Sequence, residues 1–264
     1  MSRIDLIECF KDTQAFSLKE LSEDTEQAIA SGKVYPEGFK AEERELKEAG
    51  KILVEEMSSF DAARKYISFG KTAVLNFANP VHPGGGVTNG AMAQEEALCR
   101  SSNLYLCLIS GNVYGEYYGY HKRADSYSAS DRLIYNTDIC VFKDDQTNPQ
   151  YLRKEEWIHV DILTSAAPYN SGRYQKSEEE LKEIFTSRIQ NILEAAVDND
   201  VQVLILGAFG CGAFRNPPSL VSEVFKEVIE TGNYTQKIPY LIFAIKRSGN
   251  ENYEVFRKCF QKDG

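Results

Sequence analysis

Hydrophobic and polar positions fall into two regimes along the chain. Up to about residue 70 the spacing predicts helices and connections with no convincing strand. Ile4, Ile7 and Phe10 share one side of a first helix. Ser17 with Glu20 three residues on has the form of a capping box opening a second. Pro36-Glu37-Gly38 punctuates, a charged helix is predicted over about 41–57, and residues 59–66 read as one more short helix. From Thr72 onward short apolar, β-branched runs alternate with longer amphipathic stretches. Strands are predicted at 73–78, 133–142, 157–164, 202–208 and 240–245, and helices at about 93–110, 177–198, 218–231 and 252–261. Ser177 with Glu180 makes a further capping box, and Pro217-Pro218 suits a helical first turn. Such alternation implies an α/β fold with a mostly parallel sheet and helices on both faces. The division expected is an N-terminal helical extension over 1–70, packed on the sheet, and an α/β domain over 71–264.

Two glycine loops follow predicted strands. The first runs Pro83-Gly84-Gly85-Gly86-Val87-Thr88-Asn89-Gly90-Ala91-Met92-Ala93-Gln94-Glu95-Glu96. The second is Leu206-Gly207-Ala208-Phe209-Gly210-Cys211-Gly212-Ala213-Phe214-Arg215-Asn216-Pro217. Ligands on parallel sheets bind outside the carboxyl ends of strands, so both loops converge on one crevice. Bare backbone N–H groups there close around an anion such as a phosphate. Glu95 and Glu96 open the following helix as acid–base groups beside it. A helix N-terminus lowers carboxyl pKa values, whereas burial, a second carboxylate and a bound diphosphate raise them. Adjacent helix positions point about 100° apart, so the two glutamates take different roles. Asn79, ahead of Pro80, is either a turn residue or a ligand contact.

Glycine triplet, seven residues, then Gln-Glu-Glu resembles the signature of the microbial-type poly(ADP-ribose) glycohydrolases, which are built on a macrodomain. The second loop resembles that family's second diphosphate loop. Asp131-Arg132-Leu133-Ile134-Tyr135, continuing to Val141-Phe142-Lys143-Asp144-Asp145, is similar to its central segment. The resemblance implies a macrodomain-like three-layer αβα sandwich around a mostly parallel mixed sheet, with an N-terminal helical extension. It implies hydrolysis of ribose–ribose bonds in poly(ADP-ribose), with Glu96 catalytic and Glu95 holding the scissile ribose. By the same resemblance Asn79 binds the terminal ribose and Phe214 lies against it. Gly84, Gly85, Gly86, Gln94, Gly207, Gly210, Cys211, Gly212 and Ala213 complete the binding loops. ADP-ribose, its polymer or ADP-ribosylated macromolecules are the implied partners, with no metal or other cofactor. Two alternatives stay open: removal of single ADP-ribose units from protein side chains or nucleobases, and non-catalytic ADP-ribose binding.

Composition narrows the setting. The 264 residues are 42% hydrophobic and 26% charged, enough for one domain or two small ones. A formal net charge of −9 argues against nucleic-acid binding and acidic membranes. The same charge opposes a dianionic ligand, but its acid excess lies in the stretches 42–56 and 178–183, away from the loops. Six cysteines without a Cys-x-x-Cys pair, no signal-like start and no long apolar run predict a reduced cytoplasmic protein. Cys211 with His159 as base makes a rival nucleophile pairing, which nothing nearby in sequence supports. His82, His121 and His159 have no metal-ligand spacing.

Overall fold

In the computed structural model, residues 2–261 are described apart from 43–45, 47, 125–128 and 248. Seven strands form one sheet in the order β1-β4-β5-β3-β6-β7-β2. They are β1 (Lys33–Tyr35), β2 (Lys51–Glu55), β3 (Thr72–Phe77), β4 (Leu133–Val141), β5 (Ile158–Ser165), β6 (Val203–Leu206) and β7 (Tyr240–Ala244). β5, β3, β6, β7 and β2 run parallel, while β4 is antiparallel to both of its neighbours. Side chains alternate across the sheet as the two-residue period requires. Ala73, Leu75, Leu204, Leu206, Leu241 and Phe243 join one core with α8 (Glu178–Asp198), α9 (Pro218–Thr231) and α10 (Asn252–Phe260). Val74, Ile162, Val203, Ile205 and Ile242 face the other core. That second layer holds α1 (Arg3–Lys19), α2 (Ser22–Ala30), α3 (Ser59–Tyr66), α4 (Gln94–Ser101) and α5 (Leu104–Leu108). The result is the expected three-layer α/β sandwich around a mixed, mostly parallel sheet.

The strands and helices predicted after residue 70 lie within a few residues of their observed places, except that the helix over 93–110 is broken. Ser102 is extended and bridges to Val141, and Asn103 Oδ1 accepts the Cys140 N–H at 3.0 Å. α4 therefore stops and α5 restarts. Tyr114–Tyr118 forms a π-helical turn between α6 (Gly111–Val113) and α7 (Gly119–Arg123). Tyr117 and Tyr118 are fully buried and pack into the second core.

The N-terminal region departs most from expectation. α1 runs through Ser17, whose hydroxyl donates to the Thr13 carbonyl at 2.8 Å instead of capping a new helix. The charged helix over 41–57 does not form. β2 occupies its second half, paired in parallel with β7, and residues 43–45 and 47 lie outside the described set. Its Glu and Lys content favours a helix, but Ile52-Leu53-Val54 gains more by packing along a sheet edge. β1 likewise closes the opposite edge, so the region supplies two strands where none is predicted. Among the described residues no helix is long and apolar enough to cross a membrane.

Candidate active site

Because β3, β5, β6 and β7 are parallel, the loops that follow them gather at one end of the sheet. They surround a cleft of about 680 Å³, within the usual range for ligand sites. Asn79, Gly85, Gly86, Gln94, Glu95, Glu96, Gly210, Gly212, Ala213 and Phe214 all line it, so both glycine loops converge as the sequence implies. Gly84, Gly207 and Cys211 do not. A Cβ on Gly207 would stand 2.8 Å from the Phe77 ring and 2.9 Å from the Ala244 carbonyl, so close packing explains that glycine. The Cys211 thiol donates to the Phe209 carbonyl at 3.7 Å and packs against the core.

The glutamate pair is buried and held by backbone donors. Glu95 is 2% exposed and Glu96 6%. Glu95 Oε2 accepts the Asn79 N–H at 2.7 Å, and its Oε1 accepts the Gly84 N–H at 3.1 Å and Asn76 Nδ2 at 3.4 Å. Glu96 Oε1 accepts the Gly86 N–H at 2.8 Å. Its Oε2 reaches back to the Ala93 N–H at 2.9 Å, the third-residue half of a capping box. Burial pushes the Glu95 carboxyl well above the usual carboxylate range; the N–H donors oppose this and the charge of Glu96 adds to it.

These bonds redistribute the work expected of the two loops. The Gly84 and Gly86 N–H groups point at carboxylates, and the Gly85 N–H donates to the His82 carbonyl at 2.9 Å. The triplet is thus a mount for the glutamates. Gly84 (φ +67°) and Gly85 (φ +59°) take the left-handed conformation this mount needs. In the second loop the N–H groups of Gly210, Gly212, Ala213 and Phe214 have no partner among the described residues. That loop is therefore the one whose donors stay open toward the cleft. Gln94 is likewise committed to the protein: Oε1 accepts the Phe77 N–H, and Nε2 donates to the Leu75 carbonyl and Ser59. Asn79 Oδ1 accepts the Val81 and His82 N–H groups, each at 2.9 Å, leaving its amide nitrogen for the cleft.

A family model for the microbial-type PARG catalytic domain matches residues 9–144. The chain belongs to that family. Its fold is similar to the poly(ADP-ribose) glycohydrolase of Thermomonospora curvata, at 28% identity over 97% of this chain and 99% of that one, with a TM-score of 0.85. A structure of the T. curvata enzyme bound to the inhibitor ADP-HPD gives 28% identity over the same shares and a TM-score of 0.84. The Deinococcus radiodurans enzyme in complex with ADP-ribose gives 29% identity, 91% and 98% coverage and a TM-score of 0.78. No curated protein matches the chain significantly by sequence.

The rival cysteine mechanism finds no geometry in this PARG-family chain. His159 sits at the start of β5, opposite the strand ends that carry the loops, and pairs with Asp138 at 3.1 Å. The Cys211 thiol is pushed up to about 12 by burial, far from a thiolate at neutral pH. Among the described residues no group of three or more His, Cys, Asp or Glu side chains is placed to hold a metal ion. Sequence reasoning missed Asn76, which bonds Glu95 from inside β3, and Arg100, which lines the cleft one helical turn after Glu96. The four-residue spacing from Glu96 is the signal that would have found Arg100.

Proposed function

We propose that this chain hydrolyses the ribose–ribose O-glycosidic bonds of poly(ADP-ribose) and releases ADP-ribose. The observation that carries the reading is a buried, backbone-clamped glutamate pair in the same cleft as four uncommitted N–H groups of the second loop. In this reading the diphosphate binds at Gly210–Phe214 by charge-assisted hydrogen bonds, with no lysine or arginine required. The Phe214 ring, edge-on to Tyr169 at 5.7 Å, limits how the terminal ribose lies. Asn79 Nδ2 and Glu95 hold that ribose, and Glu96 acts on the bond. Its proton passes to the leaving ribose oxygen as the anomeric carbon–oxygen bond breaks and an oxocarbenium-like centre develops. The resulting carboxylate then takes a proton from the water that adds to that carbon. One glutamate serves both steps, so the usual separation rule for two-carboxylate glycosidases does not apply.

The test is incubation with poly(ADP-ribose) beside a panel of singly modified proteins and nucleobases, reading free ADP-ribose. Release from the polymer is expected. Release from the single adducts alone makes the chain a mono-ADP-ribosyl hydrolase. Tight ADP-ribose binding without any release makes it a reader.

A further inference from the structure

Arg100 is 3% exposed, yet its guanidinium makes no ion pair among the described residues. Nη1 donates to the Ala91 carbonyl at 2.7 Å, and the buried Nε has no partner. Burying an arginine charge costs several kcal/mol unless an opposite charge repays it. Two cysteine thiols also face it, and the Lys143 ammonium stands nearby, bonded to Thr13 Oγ1 at 2.9 Å and paired with Asp12 at 2.7 Å. The Cys99 thiol on its own helix and the Cys9 thiol on α1 are both raised by burial and bring no opposite charge. The anion that most favours its charge is Glu96, one turn earlier on the same face of α4. The link is also mechanical. Arg100 fastens Ala91, the Ala91 N–H bonds the Gly86 carbonyl at 3.1 Å, and Gly86 and Ala93 on either side of it donate to Glu96. Thr13 of α1 in turn holds the Arg100 carbonyl at 2.6 Å.

We propose that Arg100 is a positioning residue for the reaction, a buried cation beneath Glu96 that stabilises the carboxylate formed when Glu96 gives up its proton. The charge favours proton donation to the leaving oxygen by acting through Glu96. This inference rests on the assignment of Glu96 as the acid, and it asks that the cation act on turnover while ADP-ribose is held by the second loop.

The experiment compares Arg100→Met and Arg100→Lys with wild type on poly(ADP-ribose), together with ADP-ribose affinity and thermal melting. Replacing a buried charge by an apolar side chain of similar length is often neutral or stabilising. Arg100→Met is therefore expected to melt at or above the wild-type temperature while kcat falls at least about 10-fold, the scale of a lost electrostatic contact to a reacting group. KM and ADP-ribose affinity should move by less than about threefold, since the diphosphate contacts are untouched. Arg100→Lys, which keeps the charge, should recover most of kcat. The proposal is overturned if Arg100→Met turns over normally, if Met and Lys lose activity equally, or if Arg100→Met does not fold. An inert wild type with intact ADP-ribose binding instead overturns the glycohydrolase reading itself.

Discussion

Glu96 is held through both oxygens by the Gly86 and Ala93 N–H groups, and a glutamine can accept only one of those bonds well. Glu96→Gln therefore removes the transferable proton and loosens the mount, and turnover should fall by at least about 10²–10⁴-fold, the range of general acid–base contributions. ADP-ribose affinity, measured by calorimetry on the same variant, should stay equal or improve slightly because an anion has left the cleft. Near-normal turnover would show that another group supplies the proton. The neighbouring glycine gives a second test. A Cβ on Gly85 would stand 2.5 Å from Glu96 Oε1 and 3.1 Å from Glu95 Oε2, at a φ of +59°. Gly85→Ala should thus depress kcat far more than affinity; an equal loss of affinity would return the triplet to the diphosphate. At this scale the spacing foretells that glycines and glutamates share one cleft, but not which N–H each carboxylate oxygen takes. Spacing reveals that glycines precede two glutamates. Which N–H points at a carboxylate depends on two left-handed φ angles that no local pattern displays.

Among the elements, the helical stretch 111–123 carries a buried titratable group that turnover does not use. His121 Nε2 accepts the Ser130 N–H at 3.1 Å and its ring packs edge-on to Tyr117 at 4.6 Å. Burial, with the Arg188 guanidinium adding to it, lowers its pKa from 6.5 to about 4. As pH falls from 6.5 the unfolded chain takes up a proton that the folded one refuses, so stability drops between 6.5 and 4 and is level below for this group. Carboxylates held below their ordinary values, such as Asp61, are lost only at more acidic pH. His121→Gln keeps an acceptor for Ser130 without the titration, and its melting temperature should change less across that window than wild type. An unchanged slope would place the pH sensitivity elsewhere. The elements themselves were legible where period and length agreed, as in α8 and α9. β2 was not, because an edge strand with charged flanks has the local composition of a helix. The break at Ser102 was not either, since it answers to Val141, about forty residues later in the chain.

On the scale of the whole molecule, the first 55 residues close the sheet at both ends. β1 covers β4, and β2 covers β7, whose Leu241, Ile242 and Phe243 are fully buried. α1 reaches the glutamate mount as well: Arg3 Nε donates to the Asn89 carbonyl at 2.7 Å, and Phe10 meets Tyr105 edge-on at 4.8 Å. The stretch matched by the family model, 9–144, also crosses the expected division at residue 70. We therefore propose that the chain folds as one unit rather than as an extension beside an independent domain. A fragment of residues 71–264 would leave one edge each of β4 and β7 unpaired, a template for edge-to-edge association. It should be aggregated or lack a cooperative melt by calorimetry, where the full chain melts in a single transition. A monomeric, cooperatively melting fragment would restore the two-part division. If such a fragment also bound ADP-ribose but turned over slowly, the loss would fall on α1 and its hold on Asn89 and Arg100, because the second loop draws none of its bonds from the deleted residues.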